Sequence, residues 1–332
     1  MANRVTLKQI AAHAGVSYQT VSRVINRLPD VAPETRTRVQ ASIRALHYQP
    51  RQTASAFSKR NVSVIGVVFP FDPDPACSDA NLLAVLYGIG LEVTLRGGSV
   101  LLSSSRSTGV PLSGCHRLLE ERSVDGVILD ETVGEAGARL FIEAGFPLVV
   151  LGYPAGKAVP SVHLDDEGGT RCLAQHLLES NHRRIGLIAG PGGAAMHARR
   201  LGFERAMQAA GLELDGDLTI VCQETCSGDG FRGAAQLMSL AEPPTAICVL
   251  SRYLVPGCVQ WLAEHGYQIP EDISIACADE IANAELLQAP LTRVQLFPYE
   301  SGRRAAAILF DLMQGQAPGI YESVVPSRLL AG

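Results

Sequence analysis

The sequence predicts two folds in one chain: a small all-α helix-turn-helix headpiece, then an α/β core of two lobes, each a parallel sheet with helices on both faces. Three observations carry this expectation. Short apolar stripes at helical spacing fill residues 5–46, whereas from Val62 onward apolar runs alternate with amphipathic stretches in the order strand, helix, strand, helix. The runs are too numerous for one doubly wound sheet, so two sheets with a cleft between them are expected. Charge divides at the same place. Residues 1–60 hold ten Lys or Arg against two acids, Asp30 and Glu34, a balance of +8; with −5 overall, the remaining 272 residues carry −13. A basic module on an acidic body suits a nucleic-acid surface confined to one end, with phosphates repelled by the body.

The headpiece starts with VTLKQIAAHAGVSYQTVSRVIN, residues 5–26. Leu7, Ile10 and Ala11 form one apolar stripe and Val21, Val24 and Ile25 a second, with Ala14-Gly15-Val16 as the break. Gly15 supplies the positive φ of a tight turn, and the Ser17 hydroxyl can cap the second helix. The outward face of that helix carries Tyr18, Gln19, Ser22, Arg23 and Asn26, with no apolar patch for a protein partner. Its chemistry suits a DNA major groove: Arg23 can fork onto guanine, Gln19 can pair with adenine, and Tyr18 can press on a thymine methyl. A plain amphipathic helix pair with a solvated polar face has the same pattern. A third helix is expected from about Glu34 to Leu46, with Pro33 in its first turn and Val39, Ile43 and Leu46 inward. Thr6, Ser22, Asn26 and Thr35 are placed to donate to phosphates, although capping and surface polarity would select the same residues.

Pro50 then breaks the chain, and Arg51–Arg60 (RQTASAFSKR) has too few apolar groups to fold alone. Strand-like runs follow at Val62–Phe69, Val100–Leu102, Gly126–Leu129, Leu148–Leu151, Ile185–Ala189, Ala246–Leu250 and Ile273–Ala278. Helical stretches are expected near 80–97, 114–122, 135–145, 167–181, 196–211, 229–240, 253–266 and 299–314. Ligands of such sheets sit outside the carboxyl ends of the strands, so the loops there are the ones to search.

Other classes find little support. Gly190-Pro191-Gly192-Gly193 follows a strand but lacks the Gly-Lys-Ser/Thr of a phosphate loop and the GxGxxG spacing. His163, His176, His182 and His197 stand singly, and no nucleophile is paired with a base, so no enzyme and no cofactor are expected. The eight cysteines are scattered. Cys222 and Cys226 have no second half, so reduced thiols rather than a metal site are expected. No secretory leader pattern and no run near ~18 apolar residues is found, which makes a cytoplasmic protein the expectation. A transport solute-binding protein would need a leader and no basic headpiece.

The first stretch, with Val31-Ala32-Pro33-Glu34-Thr35-Arg36 and Leu46-His47-Tyr48-Gln49-Pro50, resembles the DNA-binding headpiece of the lac repressor (LacI/GalR) family. The resemblance is strong over the first sixty residues and looser to the C-terminus. The triplet Tyr18, Gln19 and Arg23 is similar to that of lac repressor, which implies a lac-like half-site. The family organisation implies a headpiece at 1–49, a hinge helix at 50–61 and a periplasmic-binding-protein-like core at 62–332. Within the core it implies an N-lobe of 62–161 and 292–321 and a C-lobe of 162–291 and 322–332. Ala54 and Phe57 would enter the minor groove from the hinge, with Phe57 where Leu is more usual and Arg51 replacing a frequent Asn.

For the cleft, the resemblance points to Asp74, Arg106, Arg199, Ser251 and Asp279 as effector contacts. Arg199 lies in Arg199-Arg200-Leu201-Gly202-Phe203, similar to the family's Arg-x-x-Gly-aromatic signature, and a guanidinium there forks onto hydroxyls or a carboxylate. Several positions depart from the pattern. Ala76 and Cys77 follow Asp74-Pro75 where two aromatics are usual, Gly152 stands where many relatives carry Asp, Ser251-Arg252 replaces Asn-Asp, and Leu296 replaces a frequent Gln. The implied function is a homodimeric DNA-binding transcription regulator, a repressor of a palindromic operator whose affinity a sugar, sugar acid or other sugar derivative modulates. Two readings stay open: an unusual, anionic effector drawn to Arg106, Arg199 and Arg252, or a degenerate cleft in which Arg106 and Arg252 pair with neighbouring acids, controlled by a protein partner or by no ligand.

Overall fold

The computed structural model describes residues 7–25, 31–46, 62–69, 80–105, 112–154, 159–281, 289–316 and 322–332. The chain forms two units, residues 1–61 and 62–332. The first has three helices, α1 (Leu7–Ala14), α2 (Tyr18–Ile25) and α3 (Pro33–Ala45). Each donates one side to a small core of Ile10, Ala11, Ala14, Val21, Val24 and Val39, closed by half-buried Val16, Val31, Ile43 and Leu46. Gly15 takes φ +63° between α1 and α2, where any side chain would be strained. His13 Nδ1 reaches the Ser42 hydroxyl at 3.0 Å and ties α1 to α3.

The second unit begins with β1 (Val64–Phe69), α4 (Ala80–Leu95), β2 (Ser99–Ser104), α5 (Ser113–Glu121) and β3 (Gly126–Asp130). A 3-10 turn at Glu131–Val133 leads into α6 (Gly134–Glu143), β4 (Leu148–Leu151) and β5 (Ser161–Leu164). These strands, with β11 (Glu322–Val325), form a wholly parallel sheet in the order β11-β5-β4-β3-β1-β2. The C-lobe runs through α7 (Asp166–Glu179), β6 (Ile185–Ala189), α8 (Ala194–Ala209), β7 (Thr219–Val221), α9 (Ser227–Met238), β8 (Ala246–Val249), α10 (Val255–Glu264), β9 (Ser274–Cys277) and β10 (Thr292–Gln295). Its sheet order is β12-β10-β9-β8-β6-β7, parallel except for β12 (Arg328–Leu330), which runs against β10. α11 (Pro298–Met313) returns to the first sheet, where Ala305, Ala306, Leu309 and Phe310 pack on Ile65, Val67, Ile89 and Val93.

Each sheet is buried on both faces, so its central strands read as unbroken apolar runs. Ile185, Leu187 and Ala189 of β6 enter one core while Ile188 enters the other. The lobe boundaries differ from those expected. His163 of β5 pairs in register with Val324 of β11 inside the first sheet, and Arg293 of β10 pairs with Cys277 of β9 inside the second. The three crossings therefore fall at Asp165, Leu296–Phe297 and Pro326–Ser327, four or five residues later than drawn at 161, 291 and 321. The cause is composition: these three strands are four residues long and mix Ser, His, Thr, Arg and Glu with their apolar positions, so they give no apolar run.

Glycine sets how closely the helices approach. Where α9 meets α10, a Cβ on Gly257 would overlap the Ser227 carbonyl oxygen, and one on Gly230 that of Leu254. Both obstacles are backbone, so only separation of the helices relieves them. Gly257→Ala is expected to cost at least about 1–3 kcal/mol, read as a lowered urea midpoint at unchanged slope. Gly216→Ala, with open space around its Cβ, serves as the control and should move the midpoint little.

Candidate functional site

In the headpiece, the apolar side of α2 is consumed by the core, since Val21 is fully buried and Val24 nearly so. Its start is capped as expected: the Ser17 hydroxyl accepts from the Thr20 amide at 3.1 Å and meets the Thr20 hydroxyl at 2.9 Å. Tyr18, Gln19 and Arg23 are exposed on the opposite side, Tyr18 to 51%, and Ser22 is half-buried beside them. An exposed tyrosine next to Gln and Arg on a well-packed helix suits a polar ligand surface. Thr35 is half-buried at the start of α3, where with Ser17, Thr20, Arg23 and Arg38 it lines a shallow concavity of about 360 Å³. Thr6, Asn26, Ala54 and Phe57 lie outside the described residues.

In the core unit, strand ends from both lobes bring together a charged chain. Arg199 leaves the first turns of α8 and is 9% exposed. Its Nε donates to Asp166 Oδ1 at 2.7 Å, and its Nη1 donates to Asp279 Oδ2 at 3.1 Å and to the Leu250 carbonyl at 2.8 Å. Asp279, just beyond β9, accepts Arg252 Nη1 at 3.2 Å on its other oxygen, and the Arg252 guanidinium lies 4.8 Å from the Tyr253 ring centre. From the N-lobe, Tyr153 stacks on His163 with ring centres 4.2 Å apart and aims its hydroxyl at Asp166 Oδ2 and the Leu164 carbonyl, both at 3.4 Å. The Tyr153 amide donates to Glu131 Oε2 at 2.6 Å. Ser251, at the end of β8, is buried to 4% exposure.

The electrostatics follow from burial. Asp166 is pushed above the usual carboxylate range by burial, against the opposing pull of Arg199. Burial by itself lowers Arg199, but Asp279 and Asp166 more than reverse this and hold it protonated. Burial also raises Tyr153, reinforced by Asp166, so its phenol stays neutral and donates. Asp130 and Glu131 are both raised by burial.

Of the effector contacts expected from the sequence, Arg199 and Asp279 are brought together and Ser251 lies at the end of the neighbouring strand. Asp74 and Arg106 lie outside the described residues. The expectation of an anion drawn to Arg199 and Arg252 meets two guanidiniums already engaged by Asp166 and Asp279. Sequence reasoning missed Glu131, Tyr153 and Asp166. Asp130-Glu131 directly after the run Gly126–Leu129 was a visible signal, whereas Asp166 follows the unrecognised strand β5. Gly152 takes φ +102°, and a Cβ there would overlap the Glu131 carboxylate, so the side chain missing at 152 is what lets Glu131 lie across the end of β4. Among the described residues, no group of three His, Cys, Asp or Glu is arranged to hold a metal, and no helix is long and apolar enough to cross a membrane.

Residues 6–51 match the family described as bacterial regulatory proteins, lacI family, and residues 174–332 a periplasmic binding protein-like domain. The HTH-type transcriptional regulator CelR of Thermobifida fusca is 30% identical over 98% of this chain and 97% of its own. The lactose operon repressor of Escherichia coli is 28% identical over 94% of this chain and 86% of its own. Among solved structures, a CelR–cellobiose complex matches with TM-score 0.71 at 29% identity, over 99% of both chains. A lac repressor dimer bound to operator and the anti-inducer ONPF matches with TM-score 0.79 at 26% identity, over 99% of this chain and 98% of that one. A helix-turn-helix unit with an exposed Tyr-Gln-Arg face, followed by two parallel-sheet lobes, places this chain in the lacI family of DNA-binding transcription regulators.

Proposed function

We propose that this regulator is a repressor that binds a palindromic operator as a homodimer and releases it when a sugar or sugar derivative occupies the cleft between the two lobes. The carrying observation is the outward face of α2, where Tyr18, Gln19 and Arg23 stand exposed on a helix whose other side is locked into the core. These three read the bases of a lac-like half-site, while Thr6, Ser22, Asn26 and Thr35 hold phosphates; the concavity that Thr35 shares with Arg38 supports the latter role. Ala54 and Phe57 act in the minor groove. One headpiece spans only a half-site, so a two-fold dimer matches the palindrome. The N-lobe offers a surface for it: Leu83 and Tyr87, one turn apart on α4, are 65% and 69% exposed. The lac repressor relative is likewise described as a dimer on operator, and the CelR relative as a complex with cellobiose.

The test is fluorescence anisotropy on a symmetric lac-type operator at fixed salt, with sugars, sugar acids and sugar phosphates added singly. Tight binding released by one compound is the expected result. Binding that no compound affects would favour a cleft controlled by a protein partner. Equal affinity for operator and random DNA would remove Tyr18, Gln19 and Arg23 as base readers.

A further inference from the structure

Resting on the proposal that the cleft takes a sugar or sugar derivative, we infer that this effector carries a protonated amine, and that Glu131 is the residue that selects the amine. The two sides of the cleft differ in charge. In the C-lobe, Arg199 and Arg252 are matched by Asp166 and Asp279, so this half is close to neutral. The N-lobe half holds Asp130 and Glu131 at the end of β3, and among the described residues neither forms an ion pair. Asp130 is occupied in capping, because it accepts the Thr132 amide at 3.0 Å. Glu131 gives one oxygen to the Tyr153 amide, and its other oxygen accepts nothing among the described residues. Arg139, which lines the cavity beside Glu131, is paired with Glu135, and His163, which also acts on Glu131, is hydrogen-bonded to Glu322 and the Leu164 carbonyl.

Such a carboxylate, raised by burial, gains most from a partner that brings positive charge and N–H donors together, as an ammonium does. A carboxylate or phosphate on the ligand would be repelled, and a neutral hydroxyl would leave the charge uncompensated. Space is available beside it: a cavity of about 550 Å³ within the N-lobe is lined by Asp130, Glu131 and Tyr153, by Glu135, Arg139 and Glu143, and by apolar groups including Leu129, Val150 and Ile142.

Placement of Glu131 depends on Gly152, whose missing side chain leaves the space that the carboxylate fills. This pairing makes the selecting group identifiable by substitution. Isothermal titration of the full-length protein would compare D-glucosamine, D-galactosamine and D-mannosamine with their N-acetyl derivatives, the parent sugars and the matching uronates, with operator release followed in parallel. At least one amine should bind tenfold or more tighter than its N-acetyl derivative, and E131Q should abolish that preference while a thermal melt confirms folding. The comparison among probes in the unaltered protein needs no variant, so a poorly folding E131Q does not weaken it. A parent sugar or uronate that binds tighter than its amine overturns the amine assignment but leaves the effector reading intact, as does an amine preference that survives in E131Q. If no amine binds and neutral sugars release the operator, the assignment also falls. If nothing of any charge binds or releases the operator, it falls together with the effector reading.

Discussion

Replacing Arg199 with methionine is expected to destabilise the core by about 3–5 kcal/mol, the typical cost of breaking a buried ion pair from one side. The methionine roughly keeps the volume of the stem, so the loss is electrostatic. Asp166 and Asp279, 5% exposed each, would remain buried with no guanidinium between them, and the Leu250 carbonyl would lose its donor. Asp279→Asn should cost less, because Arg199 keeps Asp166 and the carbonyl. The pH dependence has a definite sign. Asp166 already titrates above its ordinary range through burial, and losing Arg199 raises it further, so the folded variant holds its proton more tightly than the unfolded chain. A carboxylate of that kind contributes stability at low pH that disappears as pH rises through its folded value. The deficit relative to the parent protein should therefore be smaller near pH 5 than near pH 8. Urea midpoints at the two pH values measure it; a deficit that grows on acidification would show that the network is not what the substitution breaks.

Gln19→Ala and Arg23→Ala should each weaken binding to a lac-type operator by about 5- to 150-fold, the equivalent of ~1–3 kcal/mol for a base contact. Both side chains are exposed on a helix fixed from its other side by Val21 and Val24, so the headpiece should fold as before. Affinity for random DNA should change far less for Gln19→Ala, which removes no charge. Arg38→Ala is the informative contrast. Arg38 lines the concavity with Ser17 and Thr35, and a phosphate contact there would weaken operator and random DNA alike and reduce the salt slope by about one. Anisotropy titrations on both DNAs at several salt concentrations separate the two behaviours. A uniform loss on both DNAs for Gln19→Ala would assign it to the backbone rather than the bases.

The headpiece was legible in the sequence because its determinants are local. The stripes ending at Ala14 and beginning at Val21, Gly15 in the turn and the Ser17 cap all act within a few residues, and together they dictate which face of α2 remains outside. The two-lobed core was legible for a similar reason, since all seven apolar runs became strands. Membership of β5, β10 and β11 was not, because short strands of mixed polarity are assigned to a sheet by their neighbours' hydrogen bonds. The cleft shows the limit most clearly. From the sequence, the family resemblance pointed to Arg199 and Asp279 as effector contacts and marked Gly152 as a departure from the pattern. Only the tertiary structure decided what those residues do. Asp166, separated from Arg199 by 33 positions, and Asp279, separated by 80, close on one guanidinium, and Glu131 fills the space over Gly152 from a neighbouring strand. Ion pairing and desolvation depend on distances of a few ångströms between residues far apart in the chain, and a pattern with a period of two or 3.6 residues carries no record of those distances.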